Sequence, residues 1–202
     1  MSHEDRDGPR GIPVDGHVHV YDCFEPGRFL DHAAAAFLAH GRSGVDGITG
    51  ILLLTEAAGI DFFAALRSGS AAPRGWQVRP TGDPAAVEVA RGRTRLVVCA
   101  GRQVATAERL EVLALLTDAD FADGGSLRET MARVRDAGGV PVIPWGFGKW
   151  HGRRAGILAG AIEAWRAGGE RVLLGDNGNR LRWGPEPRLF EEVRASGGLV
   201  VP

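Results

Sequence analysis

The first regular pattern in the chain is "PVDGHVHVYD", residues 13–22, where polar and apolar positions alternate strictly. Asp15, His17, His19 and Tyr21 fall on one face of a period-two strand, and Val14, Gly16, Val18 and Val20 on the other. "FEPGRFLDHAAAAFLAHG" predicts a helix from about Glu25 to His40; Pro26 suits its first turn and Gly41 the left-handed position past its end. The apolar run Ile51 to Leu54, ended by Thr55 and Glu56, reads as a buried strand of the parallel-sheet kind, and "DFFAALRSG" as a short helix.

The pattern then changes. Short runs rich in Val and Leu, broken by "TGDP", "RGRT" and "TAER", predict hairpin-like strands near 75–80, 86–91, 94–106 and 110–117. Helix-connected strands return afterwards. "SLRETMARVRDAGG" carries a capping box (Ser126, Glu129), an apolar stripe (Leu127, Met131, Val134) and Gly138 past its end. "VPVIPW" is the next strand, followed by a helix at 154–167, the strand "RVLLGD", a helix at 186–196 and the strand "GLVVP". This succession predicts an α/β fold with a parallel sheet. Roughly seven parallel-like strands point to a small or distorted (β/α)7-type barrel with a β-hairpin insertion. Residues 1–11 read as a disordered tail that holds His3, and 12–202 as one domain with no internal repeat or linker.

Composition narrows the field. The 202 residues are 44% hydrophobic and 24% charged, as expected of a globular domain, and the net charge of −1 gives no case for nucleic acid. "MSHEDRDGPRG" lacks the apolar core of a signal peptide, and no apolar run reaches the ~20 residues of a membrane span. The expected location is cytoplasmic. Cys23 and Cys99 belong to no paired motif. Lys149 is the one lysine among 24 Lys and Arg residues, in a chain that otherwise writes Arg, which makes it a candidate for chemistry that a guanidinium cannot do.

In a parallel barrel the inner face of each strand carries the site near the carboxyl end, which places His17 and His19 at the mouth. Two imidazoles separated by one residue can reach one cation; the competing reading is that both satisfy backbone groups in a polar rim. A second cluster, "WGFGKWHGRR", follows the strand that ends near Trp145. Lys149, Arg153 and Arg154 suit a phosphate or carboxylate, and His151 suits an acid/base or ligand role; the alternative is a solvated basic loop. In "GDNGNR", residues 175–180, Asp176 is either a ligand or base, or part of a turn, and nearby Trp183 a pocket wall or core. "DADFADGG" lacks the spacing of a calcium loop, so Asp118, Asp120 and Asp123 read as a solvated turn. His32 and His40 lie on the first helix and read as structural.

"VDGHVHVYD" resembles the first motif of metal-dependent hydrolase barrels, either the amidohydrolases or the PHP (polymerase and histidinol phosphatase) phosphoesterases. The PHP pattern follows the chain further. Its Thr-Asp-His motif aligns with Thr55, Glu56 and Ala57, its acidic strand with "AGRQVATAERLEVLAL", and its "GGVPV-x-His-Pro" motif with "GGVPVIPWG" from Gly138. Against that pattern, a motif histidine is Ala57, a glutamate is Gln103 and another histidine is Trp145. Ala and Trp offer no ligand and Gln only a neutral carbonyl oxygen, so a three-metal site cannot be assembled. The resemblance implies at most one divalent ion (Zn, Mn or Fe) held by His17, His19, Glu56 and Asp176, with water completing its shell. Glu56, Asp176 and His151 are then the candidate catalytic groups, and Lys149, Arg153 and Arg154 hold the substrate.

The function expected on this basis is a metal-dependent, phosphoesterase-like hydrolase of a small anionic substrate, with neither nucleic acid nor membrane as partner. The alternative is a catalytically inactive barrel of the same descent that binds a ligand or protein partner. A metal-free route through Lys149 as Schiff-base or acid group is a third option.

Overall fold

In the computed structural model, which describes residues 11–39, 48–146, 148–176 and 185–201, the chain builds two five-stranded sheets in succession. In chain order the elements are β1 (Val14–Val18), α1 (Pro26–Ala39), β2 (Gly50–Leu54), α2 (Phe62–Ser68), β3 (Gln77–Pro80), β4 (Ala86–Arg91) and β5 (Thr94–Cys99). Then come β6 (Gly101–Ala105), β7 (Glu111–Leu115), α3 (Leu127–Asp136), β8 (Val140–Pro144), α4 (Arg153–Ala167), β9 (Leu173–Gly175), α5 (Arg188–Ala195) and β10 (Leu199–Val201). The first sheet has the order β1-β2-β5-β4-β3 and the second β10-β9-β8-β7-β6. β1, β2 and β5 are parallel, as are β8, β9 and β10, while β3-β4-β5 form an antiparallel meander and β6-β7-β8 pair antiparallel with α3 between β7 and β8.

This architecture corrects the expected (β/α)7-type barrel with a hairpin insertion. Both sheets are mixed, there are five helices among the described residues, and no strand pairing among those residues closes the sheets on each other. The molecule is a sheet-rich α+β fold. The reason lies in residues 75–117. Their hairpin-like runs are no excursion from a barrel, because they supply β3, β4 and β5 to the first sheet and β6 and β7 to the second. Antiparallel neighbours need only a tight turn, so this part of the chain forms strands without crossover helices.

The single strand expected near 94–106 bends at Ala100 and serves both sheets as β5 and β6. Strands that switch sheets at a bend are how two sheets share a corner. The corner is tied to β2: the Glu56 N–H donates to the Gly101 carbonyl at 3.0 Å, the Gln103 N–H donates to the Glu56 carbonyl at 2.9 Å, and Glu56 and Arg102 form a parallel bridge.

Three apolar layers result. Leu30, Ala34 and Phe37, at helical spacing on α1, cover Val18, Val20, Leu52, Leu54, Leu96 and Val98 on the outer face of the first sheet. On the second sheet, α3, α4 and α5 cover Val112, Ala114, Ile143 and Leu174 with Met131, Leu158, Trp165 and Phe190. Between them lies a thinner layer in which Leu53 meets Leu113, Leu115, Val142 and Leu173. The capping box of α3 forms as the sequence indicates, with the Glu129 N–H donating to Ser126 Oγ at 3.3 Å and the Ser126 N–H to Glu129 Oε2 at 3.2 Å. Gly138, with φ at 76°, follows that helix.

No helix among the described residues is long and apolar enough to cross a membrane. The tail at residues 1–10, His40 and Gly41 at the end of the first predicted helix, the turn after Asp176, and Trp183 lie outside the described residues.

Candidate functional site

β1 carries the two histidines, and its pairing with β2 decides where they point. Val14 pairs with Ile51 and Asp15 with Leu52, but Val18 pairs with Leu54, so Gly16 and His17 together oppose Leu53. An extra residue of this kind is a β-bulge, a device that re-aims side chains. Strand partners share a face, so Asp15 goes with Leu52 and parts from the histidines. His17 and His19 lie with Leu53 on the face towards the second sheet. The strict alternation that put Asp15, His17 and His19 together is corrected here. Asp15 instead accepts the His17 backbone N–H at 3.3 Å.

The bulge sets His17 and His19 against the start of the second sheet. Their Nε2 atoms face each other at 3.2 Å, with ring centroids 5.0 Å apart. Gln103, inward-facing on β6, places Oε1 3.3 Å from His17 Nε2. Its amide Nε2 donates to Glu111 Oε1 at 3.2 Å, and the same carboxylate oxygen meets Lys149 Nζ. The result is one continuous polar chain from Lys149 through Glu111 and Gln103 to the two imidazoles. Burial and the neighbouring His17 hold the pKa of His19 below its ordinary value, which keeps a lone pair available at neutral pH. His19 Nδ1 is buried without a hydrogen-bond partner.

The rim extends outward as an aromatic series. Tyr21 stacks on His19 with centroids 5.9 Å apart and 19° between the planes, and Phe24 meets Tyr21 edge-on. Both rings are about half exposed, and a groove of about 430 Å³ opens beside Phe24, between Cys23, Arg28, Phe29 and His32.

The remaining expected site residues are distributed differently. Glu56 is buried and turns towards α2, where its Oε1 accepts the Phe63 N–H at 2.7 Å. Asp176 follows β9 directly, its N–H donating to the Val201 carbonyl at 2.7 Å, and its charge acts on Arg194 of α5. Of the basic loop, Lys149 alone joins the polar chain. Arg154 donates to the carbonyls of Gly148 at 2.6 Å and Arg109 at 3.4 Å, pinning the loop. Arg153 and His151 are exposed at the start of α4 and in the turn before it. No group of three or more His, Cys, Asp and Glu side chains gathers as a metal set among the described residues, so the quartet His17, His19, Glu56 and Asp176 is not brought together.

Glu111 was missed by the sequence reading. A signal for it exists in "EVLAL": position 111 shares a face with Leu113 and Leu115, which puts a carboxylate on an otherwise apolar inner face. The lone lysine was the other signal, and the two residues are partners.

Glu56 supplies a test of its placement. Burial raises its pKa above the usual carboxylate range, against the opposing pull of the Phe63 N–H and Arg102. Between the ordinary and the raised value the folded protein holds a proton that the unfolded chain releases. Its contribution to stability is therefore complete below the ordinary value and is lost as pH rises through the raised one. Urea unfolding followed from pH 4 to pH 7 is expected to show a flatter profile for Glu56→Gln than for the wild type. Unchanged zinc affinity in the same variant separates this capping role from a ligand role.

No family model, curated protein or solved structure matches the chain. The likeness to the PHP phosphoesterases thus rests on the motif residues around His17–His19 and "GGVPV", and nothing in the comparisons identifies that domain.

Proposed function

We propose that the polar cluster binds one divalent transition-metal ion and that the protein is a metal-dependent, phosphoesterase-like hydrolase of a small anionic substrate. The observation that carries this reading is the 3.2 Å separation of His17 Nε2 and His19 Nε2. Two nitrogens each about 2.0–2.1 Å from one ion lie about 2.8–3.4 Å apart for bond angles between a right angle and the tetrahedral value. Gln103 Oε1, 3.3 Å from His17 Nε2, adds a third donor. Imidazole nitrogens suit Zn and Fe, and an amide oxygen suits Mn, so the set fits the class of ion expected from the motif.

A bound ion of this class supplies Lewis-acid polarisation and a lowered water pKa. The chain's own groups do the rest. His17 and His19 set their Nε2 atoms towards one point, and Gln103 Oε1 closes the third side. Lys149 uses one of its three N–H donors on Glu111, leaving the others for an anionic group at the rim. Tyr21 offers a flat apolar wall beside His19.

A second reading, a binding module without catalysis, is favoured by the fate of Glu56. With that carboxylate turned towards α2, the three donors are all neutral. Calorimetric titration of metal-stripped protein with Zn, Mn and Fe(II), followed by a screen of small phosphate esters, decides between the readings. Saturation near one equivalent with ester turnover supports the hydrolase. One equivalent without turnover leaves the binding module, and the absence of binding overturns both the metal and the hydrolase.

A further inference from the structure

We infer that the Lys149–Glu111 ion pair is a positioning device: it orients the Gln103 amide so that Oε1, and not the amide nitrogen, faces the histidines, which fixes the tautomers of His17 and His19. The inference rests on the metal-site reading above for its purpose, though its geometry stands without a metal.

The argument runs along the chain of hydrogen bonds. Lys149 Nζ has donors only, so the Glu111 oxygen that meets it must accept. The same oxygen lies 3.2 Å from the Gln103 amide, and an acceptor there can be met only by the NH2 end. The amide is planar, so its carbonyl is turned the opposite way, 3.3 Å from His17 Nε2. A carbonyl oxygen only accepts, so the proton between them belongs to the ring, and His17 is the Nε2–H tautomer. That nitrogen also lies 3.2 Å from His19 Nε2, which therefore presents its lone pair and carries its proton on Nδ1.

Local backbone supports the anchor. A Cβ at Gly146 would lie 2.7 Å from Lys149 Cδ, so glycine leaves the lysine stem its path back over the loop, and the Lys149 N–H donates to the Gly146 carbonyl at 3.0 Å. Glu111 is the more buried partner, with 19% of its side chain exposed against 38% for Lys149, so the carboxylate lies inward and the amine outward. To hold a cation, His17 would release its Nε2 proton to solvent and take one up at Nδ1. The ring stays neutral and no net proton is released. Three lone pairs, from His17 Nε2, His19 Nε2 and Gln103 Oε1, then face the ion. Glu111 and Lys149 act on it only through Gln103, an outer-shell role of the kind whose loss costs 10–100-fold in metal affinity.

The test uses long-range ¹H–¹⁵N correlation spectra of the metal-free full chain, with zinc titration alongside. The wild type is expected to show His17 protonated at Nε2 and His19 at Nδ1. In Glu111→Gln the side chain can offer either an acceptor or a donor to Gln103. His17 is then expected to become a mixture of tautomers, with zinc affinity falling about 10-fold. Lys149→Met, which removes the anchor but keeps a similar apolar stem, is expected to shift both readouts the same way by less, and stands in for Glu111→Gln if that variant does not fold. A wild-type His17 protonated at Nδ1, or variants that alter neither tautomer nor affinity, overturns the inference. Correct tautomers that respond to the variants, in a protein that binds no zinc, uphold the positioning device and overturn the metal reading instead.

Discussion

Replacing His17 and His19 together by alanine is expected to weaken zinc binding by at least ~100-fold and to abolish any ester hydrolysis, with the fold retained. The variant removes both imidazole donors and leaves only Gln103 Oε1, a neutral oxygen with little affinity of its own for zinc. The loss exceeds that expected from an outer-shell change such as Glu111→Gln, which leaves every donor in place. Stability is expected to change little in the metal-free protein. Both histidines are half-buried, neither belongs to the three apolar layers, and His19 Nδ1 is buried without a hydrogen-bond partner. Calorimetric zinc titration and urea unfolding of the same preparation measure the two effects separately. Unchanged zinc affinity would place the metal elsewhere and overturn the site.

The second large effect concerns the corner at which the two sheets join. Gly101→Ala is expected to destabilise the protein by about 3 kcal/mol, the upper part of the range for overpacking. The added methyl would lie 2.3 Å from the Leu54 carbonyl oxygen and 2.8 Å from that of Ala114. Both neighbours are backbone, one from β2 and one from β7, so neither can yield by a rotamer change. To make room the corner must open, which strains the Glu56–Gly101 hydrogen bond and shifts β6 relative to β2. Because Gln103 lies two residues along β6, the polar chain to His17 would move with it, and zinc affinity is expected to fall together with stability. Gly82→Ala is the matched control: the position has open space around it and no left-handed backbone, so it is expected to stay within about 0.5 kcal/mol of wild type. Urea unfolding midpoints of both variants provide the measurement, and a Gly101→Ala protein as stable as the control would refute the tight corner.

These two expectations differ in how far the residues themselves announced them. The histidine pair was visible as an alternation, and its direction towards a shared point was expected from the motif. Gly101 carried no signal beyond its place in "CAGRQ", because a glycine required by a close approach resembles any other glycine in sequence. The same limit applied to Asp15 and Glu56. Period-two alternation assumes an unbroken strand, and the bulge at Gly16 and His17 reverses the face of every residue before it. Glu56 follows its strand as a ligand would, but α2 begins close by and its Phe63 N–H takes the carboxylate.

What the sequence determined by itself was local: helices at about 25–40, within 61–69 and 126–139, at 154–167 and at 186–196, which form at 26–39, 62–68, 127–136, 153–167 and 188–195, most of the strands, the capping box at Ser126, and His17, His19 and Lys149 as residues of interest. Each depends on periodicity or on contacts within a few positions, which a linear reading contains. Only the tertiary structure decided that the strands form two mixed sheets sharing a bent corner, and that Gln103 and Glu111 link Lys149 to the histidines. Sheet order depends on pairings between distant strands, and the polar chain depends on that order. Lys149 and His17 stand 132 residues apart, and it is the meeting of β1 with β6, and of β6 with β7 in the second sheet, that makes them members of one site.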